Sequence, residues 1–236
     1  MVNARTTGNG VEITTVMQSV GNDRYLTHRD KVTTVIAIGV LMRYTPEHRE
    51  ESRRRILEAA GRGFRKHGYA GIGVDGLAKE AGVTSGAFYA HFSSKGEAFT
   101  QALTDGIREL ATGIEQFQSE HGAKWLDKFI DFYMSAKRTC ELDEACAMQA
   151  LTPEVMRADA HVRSVYEEEM LTVIEAIARG LQHGNLLERR ARSWALLSLL
   201  SGGVSTARAL NSPALASQVA RSVRSAALAL ANPPQA

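Results

Sequence analysis

With 236 residues, 44% of them hydrophobic and 23% charged, the chain can bury a substantial core, which excludes disorder throughout. Its formal net charge of +2 is too small to demand a nucleic-acid partner by itself, and only five prolines leave long stretches free of helix breakers. Two cysteines, Cys140 and Cys146, are too few for a disulfide framework and fit a reducing, cytoplasmic setting.

Residues 1–41 are rich in Thr, Gly and Asn, with weak periodicity. They read either as a disordered extension or as translated sequence upstream of the true start, for which Met42 is the natural candidate. The apolar run from Val32 to Met42 is about half of a membrane span, so no membrane partner is expected. No small-residue cleavage site follows it, which argues against export. Between Arg43 and Lys66, eight Arg or Lys (43, 49, 53, 54, 55, 62, 65, 66) face four Glu (47, 50, 51, 58). Alone, such a run is a solvated helix face.

Thr45-Pro46 is a helix start, with Thr able to cap and Pro suited to the first turn. Ile56, Leu57, Ala60, Phe64 and His67 then recur at helical spacing until Gly68 stops the helix. Arg53, Arg54, Arg62, Arg65 and Lys66 fall off that stripe and are expected to face solvent or a polyanion. A short helix follows over Val74–Ala81. Gly82 supplies a left-handed turn, Val83 returns to the core, and a third helix starts at Thr84-Ser85 and runs to Phe92. Small Ala78, then Gly82, then Val83 and Phe88 is the spacing that lets two helices cross around a tight turn, a helix-turn-helix over about residues 73–92.

Residues 78–99, Ala-Lys-Glu-Ala-Gly-Val-Thr-Ser-Gly-Ala-Phe-Tyr-Ala-His-Phe-Ser-Ser-Lys-Gly-Glu-Ala-Phe, resemble the TetR family of bacterial repressors. The family pattern Ala-Gly-Val-Ser, Tyr-x-x-Phe and Ser-Lys with an acidic residue is matched from roughly Pro46 to Leu103 and only loosely beyond. One position departs: Gly73 stands where the family often has a capping Thr, which typically costs tenths of a kcal/mol. The resemblance implies an all-α chain: a three-helix DNA-binding domain over 46–103, then a larger ligand-binding and dimerisation domain over 104–231. It implies double-stranded operator DNA, a small-molecule effector and a second copy of the chain as partners, with no cofactor.

Presented to a major groove, the third helix would bring Thr84, Ser85, Gly86 and Ala87 nearest the bases. By resemblance Tyr89 and Lys95 would bind phosphates, and His91 would add a contact. The alternative for Tyr89 is a core aromatic like Phe88 and Phe92. Small side chains at 84, 85, 87 and 90 leave room for thymine-methyl contacts or shape readout.

From Lys95 the chain reads as helices over about 95–119, 123–139, 141–158, 160–184, 188–210 and 213–231. Trp125, Phe129, Phe132, Tyr133 and Ala136 stripe the second of these; Tyr166, Met170, Val173, Ile177 and Leu181 stripe the fourth. Such stripes are usually core. The resemblance implies that some line a pocket, with Trp125, Phe129, Tyr133, Cys146, Tyr166 and Met170 as candidates and an apolar or aromatic ligand as occupant. Cys146 is either a pocket or electrophile-sensing residue or a buried, inert thiol; neighbouring Glu141, Asp143 and Glu144 disfavour a thiolate. On one continuous helix Cys140 and Cys146 would stand about 9 Å apart along the axis, beyond disulfide reach. The small-residue faces of the last two helices suit either a four-helix dimer interface or an internal core.

An enzyme is the first competing class. The sequence carries no G-x-S-x-G, phosphate-binding Gly loop, H-E-x-x-H or Cys/His cluster at metal spacing, so no catalytic or metal-binding residue is expected. A helical small-molecule-binding or interaction protein is the second, and it leaves Tyr89-x-x-Phe92 followed by Ser94-Lys95 unexplained.

Overall fold

The computed structural model describes the backbone of residues 2–7 and 10–15, and residues 46–231. Val2–Thr7 (β1) and Gly10–Thr15 (β2) pair antiparallel, with Val2 opposite Thr15 and Thr7 opposite Gly10. Each run carries Val and two Thr, and Gly8-Asn9 stands between them in the sequence, a hairpin signal that composition alone had hidden. The remainder of 1–41, the Val32–Met42 run, Met42 and the cap at Thr45 lie outside the described residues.

Pro46–Gly71 (α1) buries Ile56, Leu57, Ala60 and Phe64 along one face. It breaks at Gly68, whose φ of +73° leaves the helical region, and a Cβ there would also stand 2.9 Å from Glu154 Oε1. Val74–Glu80 (α2) starts at Gly73 without a side-chain cap, as its sequence implies. Gly82, at φ +67°, then reverses the chain, and Val83 N–H donates to Ala78 O at 2.9 Å. Ser85–Tyr89 (α3) begins under a Thr84 cap and places Phe88 in the core, with Phe92 just beyond its end. Lys95–His121 (α4) starts under a Ser94 cap that accepts from Glu97 N–H at 3.0 Å. At 27 residues it runs about 40 Å.

Beyond α4 the chain forms Trp125–Thr139 (α5), Ala147–Val155 (α6), Ala160–Gly180 (α7), Leu186–Ala209 (α8) and Pro213–Ala231 (α9). α4 packs against α5 and α7, and α8 packs against α5, α7 and α9. Gln118 Nε2 and Trp125 Nε1 donate to the carbonyls of Ala176 (2.7 Å) and Gly180 (3.1 Å), pinning the end of α7 to α4 and α5. Arg108 grips Glu169 with two bonds of 2.9 and 2.6 Å, a second α4–α7 tie. Asn185 and Glu188 form a reciprocal capping box at the start of α8.

The apolar core runs without interruption from Ile56 to Ala231, and residues from Glu50 onward pack as one unit. The expected boundary near residue 103 therefore falls inside α4, a single rod shared by both parts. One expected helix needs correction. Residues 141–158 are not continuous: Cys140, Glu141 and Ala145 are extended around a short turn at Leu142–Glu144, and α6 begins only at Ala147. Even with that break, both cysteines remain free thiols.

Candidate nucleic-acid interface and ligand cleft

The helix pair α2–α3 is held by its own polar groups. Thr84 Oγ1 accepts from Ala87 N–H at 3.2 Å, leaving its O–H to donate outward, while Ser85 Oγ donates to Asp75 Oδ1 of α2 at 2.5 Å. Thr84 and Gly86 are exposed, and Ser85 and Ala87 half-buried, so the leading face of α3 is small and open to close approach. Tyr89 is 55% exposed although its neighbours Phe88 and Phe92 are 0% and 1% exposed. Its ring meets Phe88 edge-on at 5.7 Å, which holds it upright on the surface. That excludes a core aromatic. His91 is half-buried.

Lys95 is more constrained than a free surface lysine. Its ammonium donates to the carbonyls of Tyr69 (2.8 Å) and Ile72 (3.1 Å) and stands 4.2 Å from the centre of the Tyr69 ring. Two of its three N–H donors thus close the end of α1 onto the start of α4, leaving one for an external acceptor. Tyr69 was not singled out by the sequence; no local pattern shows that it faces Lys95 across 26 residues.

The basic run divides in the structure. Arg54 is paired along the helix with Glu51 and Glu58, and Arg55, Arg62 and Lys66 are exposed. Arg53 lies over the Phe92 ring at 4.9 Å and donates to Gln101 Oε1. Arg65 does not face solvent as its position on the helix suggests. It turns inward and its Nε donates to the Asp143 carbonyl at 2.6 Å. The reach of a long side chain, not its Cα position, decides where its charge sits.

That inward turn brings Arg65 to the wall of an open cleft of about 1100 Å³ between α4, α5 and the 140–147 segment. Phe117, Phe129 and Phe132 form an aromatic wall, with centroids 5.5–5.7 Å apart. Of the pocket candidates, Phe129, Tyr133 and Cys146 line the cleft. Trp125, Tyr166 and Met170 lie outside its lining. Trp125 is buried and spends its N–H on Gly180, Tyr166 bonds with Thr152 Oγ1 at 2.9 Å, and Met170 is packed in the core. Most of each stripe is buried, but Phe132 and Ala136 are exposed and Tyr166 half-buried, and periodicity could not say where packing leaves space. Among the described residues no three His, Cys, Asp or Glu side chains gather as a metal site, and no helix is long and apolar enough to cross a membrane.

Residues 56–102 match the model of the bacterial regulatory proteins, tetR family. The HTH-type transcriptional regulator TtgR of Pseudomonas putida is 45% identical over 69 residues, 29% of this chain and 32% of TtgR, so the likeness spans about a third of that relative. The HTH-type transcriptional repressor SCO4008 of Streptomyces coelicolor is 27% identical over 132 residues, 56% of this chain and 68% of that one. Similarity of fold extends further: a transcriptional regulator FadR from Bacillus subtilis, solved in complex with stearoyl-CoA, superposes with a TM-score of 0.58 at 17% identity, covering 77% of this chain and 99% of FadR.

Proposed function

We propose that the chain is a TetR-family, ligand-responsive transcriptional regulator that binds a palindromic operator as a cytoplasmic homodimer and releases it on binding an effector, a reading supported by the match of residues 56–102 to the tetR family model and by the likeness to TtgR. The observation that carries this reading is Tyr89, a large aromatic held out of the core at the end of a helix whose leading face is otherwise small. An exposed phenol suits a phosphate contact, and Lys95 would supply a second; such contacts fix register, while Thr84, Ser85, Gly86 and Ala87 approach the base edges and His91 adds a flanking contact.

Two further features support the dimer and the effector. The outer faces of α8 and α9 expose Leu187, Trp194 and Leu215 among Ala and Ser, an apolar surface of the kind that pairs with its copy. The cleft offers an aromatic wall to a small molecule, and FadR is an example of this fold that holds a ligand. Coupling would run through α4, which begins at Lys95 beside the DNA contacts and then lines the cleft. A ligand that shifts α4 changes the spacing of two recognition helices, so both half-sites cannot be engaged together. Repression is the direction favoured by the likeness to SCO4008.

The test is the affinity of the full chain for duplex DNA at several salt concentrations. Lys95→Ala is expected to reduce the slope of log affinity against log salt by about one, the signature of one lost phosphate contact. An unchanged slope would remove Lys95 from the interface.

A further inference from the structure

We propose that the cleft is built for an apolar acid: a ligand with an aromatic or long apolar body along Phe117, Phe129 and Phe132, and a carboxylate seated between Arg65 and Tyr133. The proposal rests on the reading of the cleft as an effector site and names the chemistry that it selects.

Two donors of the cleft lining, Arg65 and Tyr133, both lie near Cys146 and keep N–H or O–H groups unbonded. Arg65 uses only Nε, on the Asp143 carbonyl; among the described residues its Nη1 and Nη2 have no acceptor and no carboxylate pairs with it. Tyr133 is 1% exposed, and its hydroxyl has no hydrogen-bond partner among the described residues. The Cys146 thiol lies near both, acting on the Arg65 charge and, through charge and a contact too poorly aligned to satisfy the hydroxyl, on the Tyr133 phenol. A buried donor left unpaired is costly, so the Tyr133 hydroxyl, with the uncommitted guanidinium nitrogens of half-buried Arg65 in the same lining, marks a place suited to an acceptor.

The surroundings make room for that arrangement. A Cβ at Gly61 would stand 3.5 Å from Arg65 Nη1, and one at Gly106 would stand 4.0 Å from it and 2.3 Å from the Ala147 Cβ. A side chain at Gly106 would push α6 out of place, whereas the approaches to the guanidinium are ordinary contact. Other cations of the lining are engaged: Arg108 is held by Glu169, and Lys137 donates to the Glu144 carbonyl. Asp105, Glu109, Glu120 and Glu144 line the cleft as well, and Glu109 and Asp143 are near enough to act on the Arg65 charge without pairing to it. These carboxylates disfavour an acid anywhere but at the guanidinium, which fixes the ligand's orientation. Burial pushes the Tyr133 phenol well above its usual range, so it remains an O–H donor at neutral pH. Burial also lowers Arg65 from its ordinary value, while guanidinium stays charged.

One carboxylate accepts from both groups at once. Because Arg65 belongs to α1, such a ligand would touch the DNA-reading unit directly, as well as the helices around the cleft.

The experiment is calorimetric titration of the full chain at neutral pH with three matched pairs: a biphenyl carboxylate, a naphthoate and decanoate, each beside its primary carboxamide. The acids of the pairs that bind are expected to bind about 10- to 100-fold more tightly than their amides, the range of a charge-assisted hydrogen-bond pair. Arg65→Gln should abolish that preference and leave amide affinity in place. Tyr133→Phe should weaken acid binding by about 3- to 10-fold while leaving the melting temperature unchanged or higher, since it removes a buried hydroxyl without a partner. This second variant carries the test if Arg65→Gln fails to fold. Equal affinity for acid and amide, or a preference that survives Tyr133→Phe undiminished, would overturn the proposal. Absence of binding by every probe would overturn it too, while the salt dependence of DNA binding would still report on the regulator reading.

Discussion

Trp194→Glu is expected to turn the proposed dimer into a monomer at micromolar concentration and to weaken the proposed operator binding by about 10²- to 10⁴-fold, the range lost when a second contact is no longer tethered. Leu187, Ala191, Trp194, Ser198 and Gly202 recur every three or four residues on α8, and all are exposed. Trp194 is 42% and Leu187 76% exposed, far more than their hydrophobicity favours in a monomer. A Cβ added at Gly202 meets nothing within 4 Å, whereas one at Gly203 would stand 2.7 Å from Val223, so one glycine faces α9 and the next faces outward. On α9, Ala214, Leu215, Ser222, Ser225, Ala226 and Ala229 are likewise exposed. Two helices with small outward faces and a central Trp can close on their copies as a four-helix contact. A carboxylate at its centre would be buried without a partner. Sedimentation and operator affinity check both parts; a variant that stays dimeric with unchanged affinity would move the interface elsewhere.

Phe64→Ala is expected to destabilise the protein by about 3–5 kcal/mol, the usual cost of emptying a buried Phe site. Phe64 is fully buried, meets Phe99 edge-on at 5.3 Å and stacks on Tyr69 at 6.0 Å. Tyr69 in turn supports the Lys95 ammonium. The substitution therefore removes both core volume and the backing of the ring that positions a proposed phosphate contact. Urea unfolding measures the first effect and DNA affinity below the transition the second. Phe132→Ala, at the cleft surface, should cost clearly less; equal losses would contradict the packing described.

The helix-turn-helix was legible because its determinants are local. Ala78, Gly82, Val83 and Phe88 specify the crossing within eleven residues, and Thr84 and Ser94 supply their caps in place. The starts of α4 and α9 were equally plain, since Ser94 and Pro213 punctuate them. The break at 140–146 was not. Nothing in Cys-Glu-Leu-Asp-Glu-Ala-Cys forbids a helix; α5 ends there because Arg208, from α8, donates to the carbonyls of Lys137 (3.0 Å) and Cys140 (2.8 Å). Such capping across 68 residues leaves no local mark. The cleft was half legible for a similar reason. Periodicity showed that Phe129 and Tyr133 face inward along with Trp125 and Met170, but only packing decides which inward faces meet a void. Arg65 illustrates the limit most directly: its Cα lies on the charged side of α1, while its guanidinium turns inward to the wall of the cleft.

The central claim is that α3 reads DNA. Selection of bound duplexes from a random pool by the full chain tests it most directly, repeated with Tyr89→Ala. The account predicts enrichment of a palindrome whose half-sites lie about 34–36 Å apart, or a multiple of that, and loss of the enrichment in the variant. A folded, dimeric chain that enriches no sequence would contradict it and leave the helix pair as scaffold around the cleft.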